Sequence, residues 1–211
     1  TYLEKKKNVD MFLKNLNLIS KFCFIPIAVG GGINSIQTVK KFLSNGADKV
    51  VINSNLNLKL LKEISKTYGQ QSIIASVDYK KDKRKFKIFI NNSSEELKVS
   101  VKDYLTKVIN FPVGEIMLNS IDQDGTGNGI DFNILKFLPK IVKKSIIISG
   151  GCGNSIHLSE GLNNKKVDAV STANLLNFIG DGLKKAREDM LSKKFKLPIW
   201  DVKTINILKG R

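Results

Sequence analysis

One histidine, two cysteines and three arginines are all that this 211-residue chain has of the side chains that most often carry metal, thiol or nucleic-acid chemistry. A lone His157, with Cys23 and Cys152 far apart, gives no metal-ligand spacing and no disulfide framework. The cysteine usage fits a reduced, cytoplasmic setting, and no motif asks for a cofactor. No apolar run approaches the ~18 residues of a membrane helix, and the opening "TYLEKKKNVD" is charged where a secretory leader would be apolar. The net charge of +16 invites a nucleic-acid partner, but 32 of the 35 basic residues are lysine, leaving only Arg84, Arg187 and Arg211. Base readout and bidentate phosphate contacts favour arginine. The excess therefore reads as solvated surface lysine, with some attraction for small phosphorylated anions and no nucleic-acid or membrane partner.

What the chain does have is rhythm. Apolar runs at 24–29, 50–52, 73–77, 115–118, 145–148 and 169–172 alternate with amphipathic stretches of helical length, among them "SIQTVKKFLSN", "NLKLLKEISKTYG" and "DFNILKFLPKIV". Strands apolar along their length, separated by helices, predict a parallel sheet covered by helices. A helix is expected over 8–22, and Ser35, Asn57 and Asp131 stand where helix N-caps belong. "KFKIFINN", 85–92, alternates with period two instead and predicts half of a small inserted hairpin.

A repeat narrows the fold. "AVGGGINSIQTVKKFLSNGADKVVINS" returns 120 positions later as "ISGGCGNSIHLSEGLNNKKVDAVSTAN"; aligned without gaps, Gly30 matches Gly150, Gly31 matches Gly151, Ser35 matches Ser155 and Asp48 matches Asp168. That displacement is about half of a (βα)8 barrel of roughly 250 residues. The expectation is a single domain over 1–211, a (βα)8 TIM barrel of duplicated half-barrels, lacking the first two of its eight strands.

Working groups of such barrels sit at strand C-termini and on the loops that follow. Glycines there let backbone N–H groups approach an anion closely, next to a helix N-terminus. Gly31 and Gly32 with Asn53 and Ser54 form one candidate phosphate cradle, and Gly150 and Gly151 with Ala173 and Asn174 form the other. Two such loops at equivalent places favour a ligand with two anionic ends over tight turns alone. Asp78 closes the apolar strand "IIASVD" and is the acid/base candidate, unless it pairs with Lys80 or Lys81. In "SIDQDGTGNG", Asp122 and Asp124 are placed to hold substrate hydroxyls and Gly125 to donate its N–H to phosphate, the alternative being a turn that caps the next helix. Ser149 lacks a histidine base and reads as a donor, and His157, inside a helix, reads as structural.

The strings "IPIAVGGGI…GADKVVINS", "SVD", "GEIMLNSIDQDGTGNGID" and "IISGGCG…DAV" resemble the cyclase subunit of imidazole glycerol phosphate synthase, in order and with its spacing, over about 1–178. The resemblance implies a (βα)8 barrel that receives ammonia from a glutaminase subunit. It implies a lyase reaction in which ammonia splits a bis-phosphorylated ribulosyl aminoimidazole carboxamide nucleotide into imidazole glycerol phosphate and the carboxamide ribotide, in histidine biosynthesis. By the same resemblance Asp78 is one of two catalytic aspartates, and Gly32, Asn53, Asp124, Gly125 and Gly151 are substrate-binding positions. Lys49 and Glu115 fall in the charged ring through which ammonia enters, and Asp48 faces the glutaminase. Charges pointing into a barrel floor are costly unless paired, so a Lys49–Glu115 contact is a physical requirement.

The departures are specific. The second catalytic aspartate belongs to the expected first strand, Asn174 stands where serine is usual, the inserted hairpin lacks a Thr-Gly turn, and the tail from 177 runs differently. Such departures resemble a paralogous branch whose members pass ammonia to a sugar-modifying enzyme in surface-polysaccharide synthesis. A non-catalytic barrel that only scaffolds a glutaminase is a further alternative.

Overall fold

The computed structural model describes residues 7–83, 85–173 and 182–197. Six parallel strands lie in the order β1 (Ala28–Gly30), β2 (Lys49–Ile52), β3 (Ile73–Asp82), β6 (Glu115–Ser120), β7 (Ser145–Ser149) and β8 (Ala169–Ser171). Helices α2 (Ile36–Leu43), α3 (Leu58–Tyr68), α4 (Val101–Ile109) and α5 (Ser155–Asn163) alternate with them, and α1 (Lys7–Ser20) and α6 (Gly182–Ser192) flank the set. This is the βα succession of a (βα)8 barrel, with six of its strands among the described residues.

The sheet has two unlike faces because successive strand residues point to opposite sides. Val50, Ile52, Ile116, Leu118, Ile146 and Ile148 point outward and are buried. Beneath them lie Val39 and Phe42 of α2, Leu60, Leu61 and Ile64 of α3, and Leu105 and Val108 of α4. Lys49, Val51, Glu115, Met117 and Ile147 point the other way, into the barrel lumen, and are only half-buried. The core thus sits between sheet and helices.

The expected caps are in place. Ser35 Oγ accepts from Thr38 N, Asn57 Oδ1 from Leu60 N, and Asp131 Oδ1 from Asn133 N. The period-two segment is β4 (Lys85–Ile90), which pairs antiparallel with the outer half of β3 and with β5 (Glu95–Leu97). Two elements differ from expectation. Of the run 24–29 only Ala28–Gly30 is strand, since Pro26 has no N–H and that of Ile27 goes to Asp48 Oδ2 at 2.8 Å. The stretch from Asp131 makes only a 3-10 turn, Phe132–Phe137, and it ends at Leu138, which Pro139 keeps in extended backbone.

The repeat also needs a correction. Ala28 pairs with Lys49, whereas Ile147 pairs with Ala169, so the first strands correspond at a displacement of 119 and the second at 120. The left-handed glycines are Gly31 and Gly32 in one loop and Gly150 and Gly151 in the other, again 119 apart. The N-caps are Ser35 and Asn154, not Ser35 and Ser155. The extra residue lies inside α5, nine residues against eight in α2. A gapless alignment set on the second strands therefore misplaces the loop by one.

The two faces should respond differently to truncation. Ile116→Ala is expected to cost about 2–5 kcal/mol in urea unfolding, and Met117→Ala, on the half-open lumen face, roughly half of that or less.

Candidate functional site

The C-terminal ends of the strands form one mouth with two clefts. The first, about 460 Å³, is bounded by Gly31, Gly32, Asn53, Ser54 and Asp78. The second, about 240 Å³, is bounded by Asn119, Asp124, Gly125, Gly150, Gly151 and Ala173. Each half-barrel therefore contributes one glycine-lined cleft, with the predicted residues collected in pairs around it. Asn174 lies outside the described residues, as does most of the divergent tail.

Asp78 and Asn119 are register neighbours on β3 and β6 and stand where the clefts meet. Asn119 Nδ2 donates to Asp78 Oδ1 at 3.1 Å, and Ser76 Oγ donates to the same oxygen at 3.2 Å. Burial raises the Asp78 pKa above its ordinary value, the two donors pull it down, and the negative charge of Asp124 adds to the rise; the net shift is upward. Among the described residues no lysine pairs with it: Lys81 goes to Asp131 at 3.0 Å, and Lys80 lies over the Phe89 ring. An unpaired, partly desolvated carboxylate with a raised pKa is suited to moving protons.

Asp122 is committed to structure. Its oxygens accept from Ser120 Oγ at 2.9 Å and Lys81 N at 3.1 Å, so it clamps the loop after β6 and is not aimed at a ligand. Asp124 and Gly125 do reach the second cleft, and Ser149 lines it. That loop and the loop after β7 are joined backbone to backbone, with Gly129 N donating to Gly151 O at 2.8 Å. A Cβ on Gly151 would lie 1.9 Å from Gly129 O, so a side chain there is sterically excluded.

In the first cleft, Asn53 Nδ2 donates to Ser76 O at 3.2 Å. Ser54 Oγ donates to Asn53 Oδ1 at 3.1 Å and accepts from Asn91 N at 2.9 Å. Asn91 and Asn92, at the β4–β5 tip, line this cleft and escape sequence reading. The signal was the "NNSS" after an alternating strand: Asn91, Asn92 and Ser93 all take left-handed backbone, which asparagine tolerates.

At the opposite end, Lys49 and Glu115 form the required ion pair. They belong to non-adjacent strands, so the two long side chains meet across β3 inside the lumen. Asp48, beside them, is a structural staple: its N–H donates to Ile27 O and its carboxylate accepts from Ile27 N. Asp168 does the same to Ile146 in the second half. A lysine-lined cleft of about 400 Å³, with Lys140, Lys143, Lys144, Lys165 and Lys166, opens at this end. Burial lowers the Lys144 pKa. Among the described residues no cluster of histidine, cysteine and carboxylate could hold a metal, and no helix is long and apolar enough to cross a membrane.

The model of the family described as histidine biosynthesis protein matches residues 5–179. A Parasynechococcus marenigrum (strain WH8102) protein named "Putative imidazole glycerol phosphate synthase subunit hisF2" is 42% identical over 186 residues, 87% of this chain and 69% of its own length. The imidazole glycerol phosphate synthase subunit HisF of Leptospira biflexa serovar Patoc is 34% identical over 192 residues, 89% of this chain and 75% of its own length.

Because Asn119 is the foremost donor opposing the rise in the Asp78 pKa, its removal should raise that pKa further. In Asn119→Leu the acidic limb of any activity that needs the ionised carboxylate is expected to move to higher pH, read from a pH–rate profile.

Proposed function

The chain belongs to the histidine biosynthesis protein family, and from that premise we propose that it works as the ammonia-using cyclase subunit of an imidazole glycerol phosphate synthase. The observation that carries this reading is the pair of glycine-lined clefts on one mouth, with Asp78 at their junction. A substrate with a phosphate at each end fits that arrangement. One phosphate would be held by Gly31, Gly32, Asn53 and Ser54, the other by Gly125, Gly150, Gly151 and the segment running through Ala173 to Asn174. Backbone N–H groups of the left-handed glycines would serve as phosphate partners, and the N-termini of α2 and α5 would add favourable potential.

Ammonia would enter past Lys49 and Glu115 from a glutaminase subunit seated on the strand N-termini. Asp48 would help shape that seat through its hold on Ile27. Asp78 would accept and return protons as ammonia adds and the ring closes, with Asp124 fixing substrate hydroxyls. The resemblance assigns part of this proton transfer to a second aspartate, on a strand that the described residues do not include. Asp78→Asn keeps the shape and the hydrogen-bond acceptor but cannot take a proton. Ammonium-dependent turnover of the bis-phosphorylated nucleotide by the full-length protein should fall at least about 100-fold; unchanged turnover would remove Asp78 from the mechanism.

The gate has its own test. Lys49→Ala breaks the ion pair far from the mouth, so glutamine-dependent turnover with the partner should drop while ammonium-dependent turnover stays near normal. The departures at Asn174, in the inserted hairpin and in the tail support a second reading, a subunit that passes ammonia onward to a sugar-modifying enzyme. A glutaminase-binding protein with no ammonium-dependent turnover of the nucleotide would select it.

A further inference from the structure

The only histidine of the chain sits at a junction that the proposed reaction leaves unexplained. His157 is the third residue of α5, and its N–H is capped by Asn154 Oδ1 at 2.9 Å. Its ring folds back over the turn, where Nδ1 accepts the Gly153 N–H at 3.1 Å. Nε2 lies 3.5 Å from Asn154 Nδ2. Gly153 follows the left-handed pair Gly150–Gly151, and its backbone packs against Gly127 so closely that a Cβ would stand 2.7 Å from the Gly127 Cα. On its other side the ring faces Gly129, whose N–H holds Gly151 O. One imidazole therefore bonds the loop after β7 and lies next to the loop after β6, where a Cβ added to Gly129 would stand 3.4 Å from Nε2.

The first half shows what is distinctive here. The residue corresponding to His157 at a displacement of 119 is Thr38, whose hydroxyl meets Ser35 Oγ at 3.0 Å. That contact stays within the cap and cannot titrate. In the second half the ring reaches one residue further, to the loop itself, and holds it only while Nδ1 is unprotonated. We propose that His157 is a positioning residue for the second phosphate cradle, holding Gly150–Gly153 in its anion-accepting shape through the Gly153 N–H, and that protonation of its ring releases that loop. The cradle itself is the one assigned under the proposed function, and this inference rests on that reading.

Protonation would set an N–H on Nδ1 against the N–H of Gly153, turning a hydrogen bond into two opposed donors. Among the described residues, the charged groups that share the ring's cleft are Lys81 and Asp131, which pair with each other, and Glu160 further along α5. On α6, Asp189 is held by Lys193 at 2.8 Å and meets Ser155. The Gly153 contact is thus the bond most directly lost on protonation.

The experiment uses the full chain and sulfate, an anion whose charge is constant between pH 5.5 and 8. By NMR, the Gly153 amide of the natural protein should follow the imidazole titration, and in His157→Asn, whose Oδ1 can replace Nδ1, it should stay flat. A Gly153 amide that ignores the ring's titration would overturn the proposal. At pH 8, sulfate binding read at the Gly151 amide should stay within about twofold in His157→Asn and weaken roughly three- to tenfold in His157→Leu, the worth of one hydrogen bond. Equal binding by the natural protein and His157→Leu would also overturn it. If the natural protein bound no sulfate at Gly151, the cradle reading would fall, and with it the role of His157 there, while the Gly153 titration would still decide whether the latch exists.

Discussion

Everything functional in this protein depends on the lateral register of its parallel strands. Parallel pairing fixes which residues stand side by side, and the two-residue period fixes which face they share. With Ile74 beside Glu115 and Asp78 beside Asn119, one end of β3 and β6 holds an acid for the lumen floor and the other end an acid and an amide for the mouth. A slip of one residue would send Asp78 and Asn119 into the helix-covered layer and bring Val77 and Leu118 to the mouth. The apolar outward face resists such a slip, since Val50, Ile73, Ile116 and Ile148 would all lose their burial. The hydrophobic core is thus also what aims the polar side chains.

The duplication supplies the second constraint. Both halves use the same parts: a strand, two left-handed glycines, a capped helix and an aspartate that staples the next strand to the start of the first. The parts around each cradle then diverge. The first cradle is covered by the β4–β5 tip, through Asn91 and the Ser54 hydroxyl, and the second is braced by the loop after β6, with His157 at the joint. The duplication thus gives two clefts, of about 460 and 240 Å³, that share a plan and differ in what surrounds them.

Much of this was legible before the structure, and the misses have physical causes. The strand–helix alternation and the caps at Ser35, Asn57 and Asp131 follow from periodicity and local hydrogen bonding, and the Lys49–Glu115 pair follows from the cost of unpaired charge once the resemblance has put both residues in the barrel floor. Apolar spacing did not tell the short 3-10 turn after Asp131 from a helix, although Pro139, which ends it, stands in the sequence. Nor could it separate Asp122 from Asp124: both sit in one acidic loop, and only the fold turns the first toward Ser120 and the Lys81 backbone. Asn91 and Asn92 reach their cleft through hairpin geometry, which composition does not encode. His157 lies inside a helix, as expected, and its bond to the Gly153 N–H is one that no pattern of side chains displays.

The state of Asp78 follows from where the nearby lysines go. A lysine against its carboxylate would hold the group ionised and depress its pKa, leaving a weak base and no acid. Lys81 is instead drawn to Asp131, whose pKa ends lowered because the Lys81 and Asn133 contacts outweigh the burial that would raise it. The loop after β6 thus removes the cation from the mouth as it brings Asp124 and Gly125 into it. What remains for Asp78 is two neutral donors, enough to orient the carboxylate and too little to cancel the effect of burial. The Lys81–Asp131 pair, three residues along β3 from Asp78, is in this way part of the reason that the Asp78 pKa stays raised.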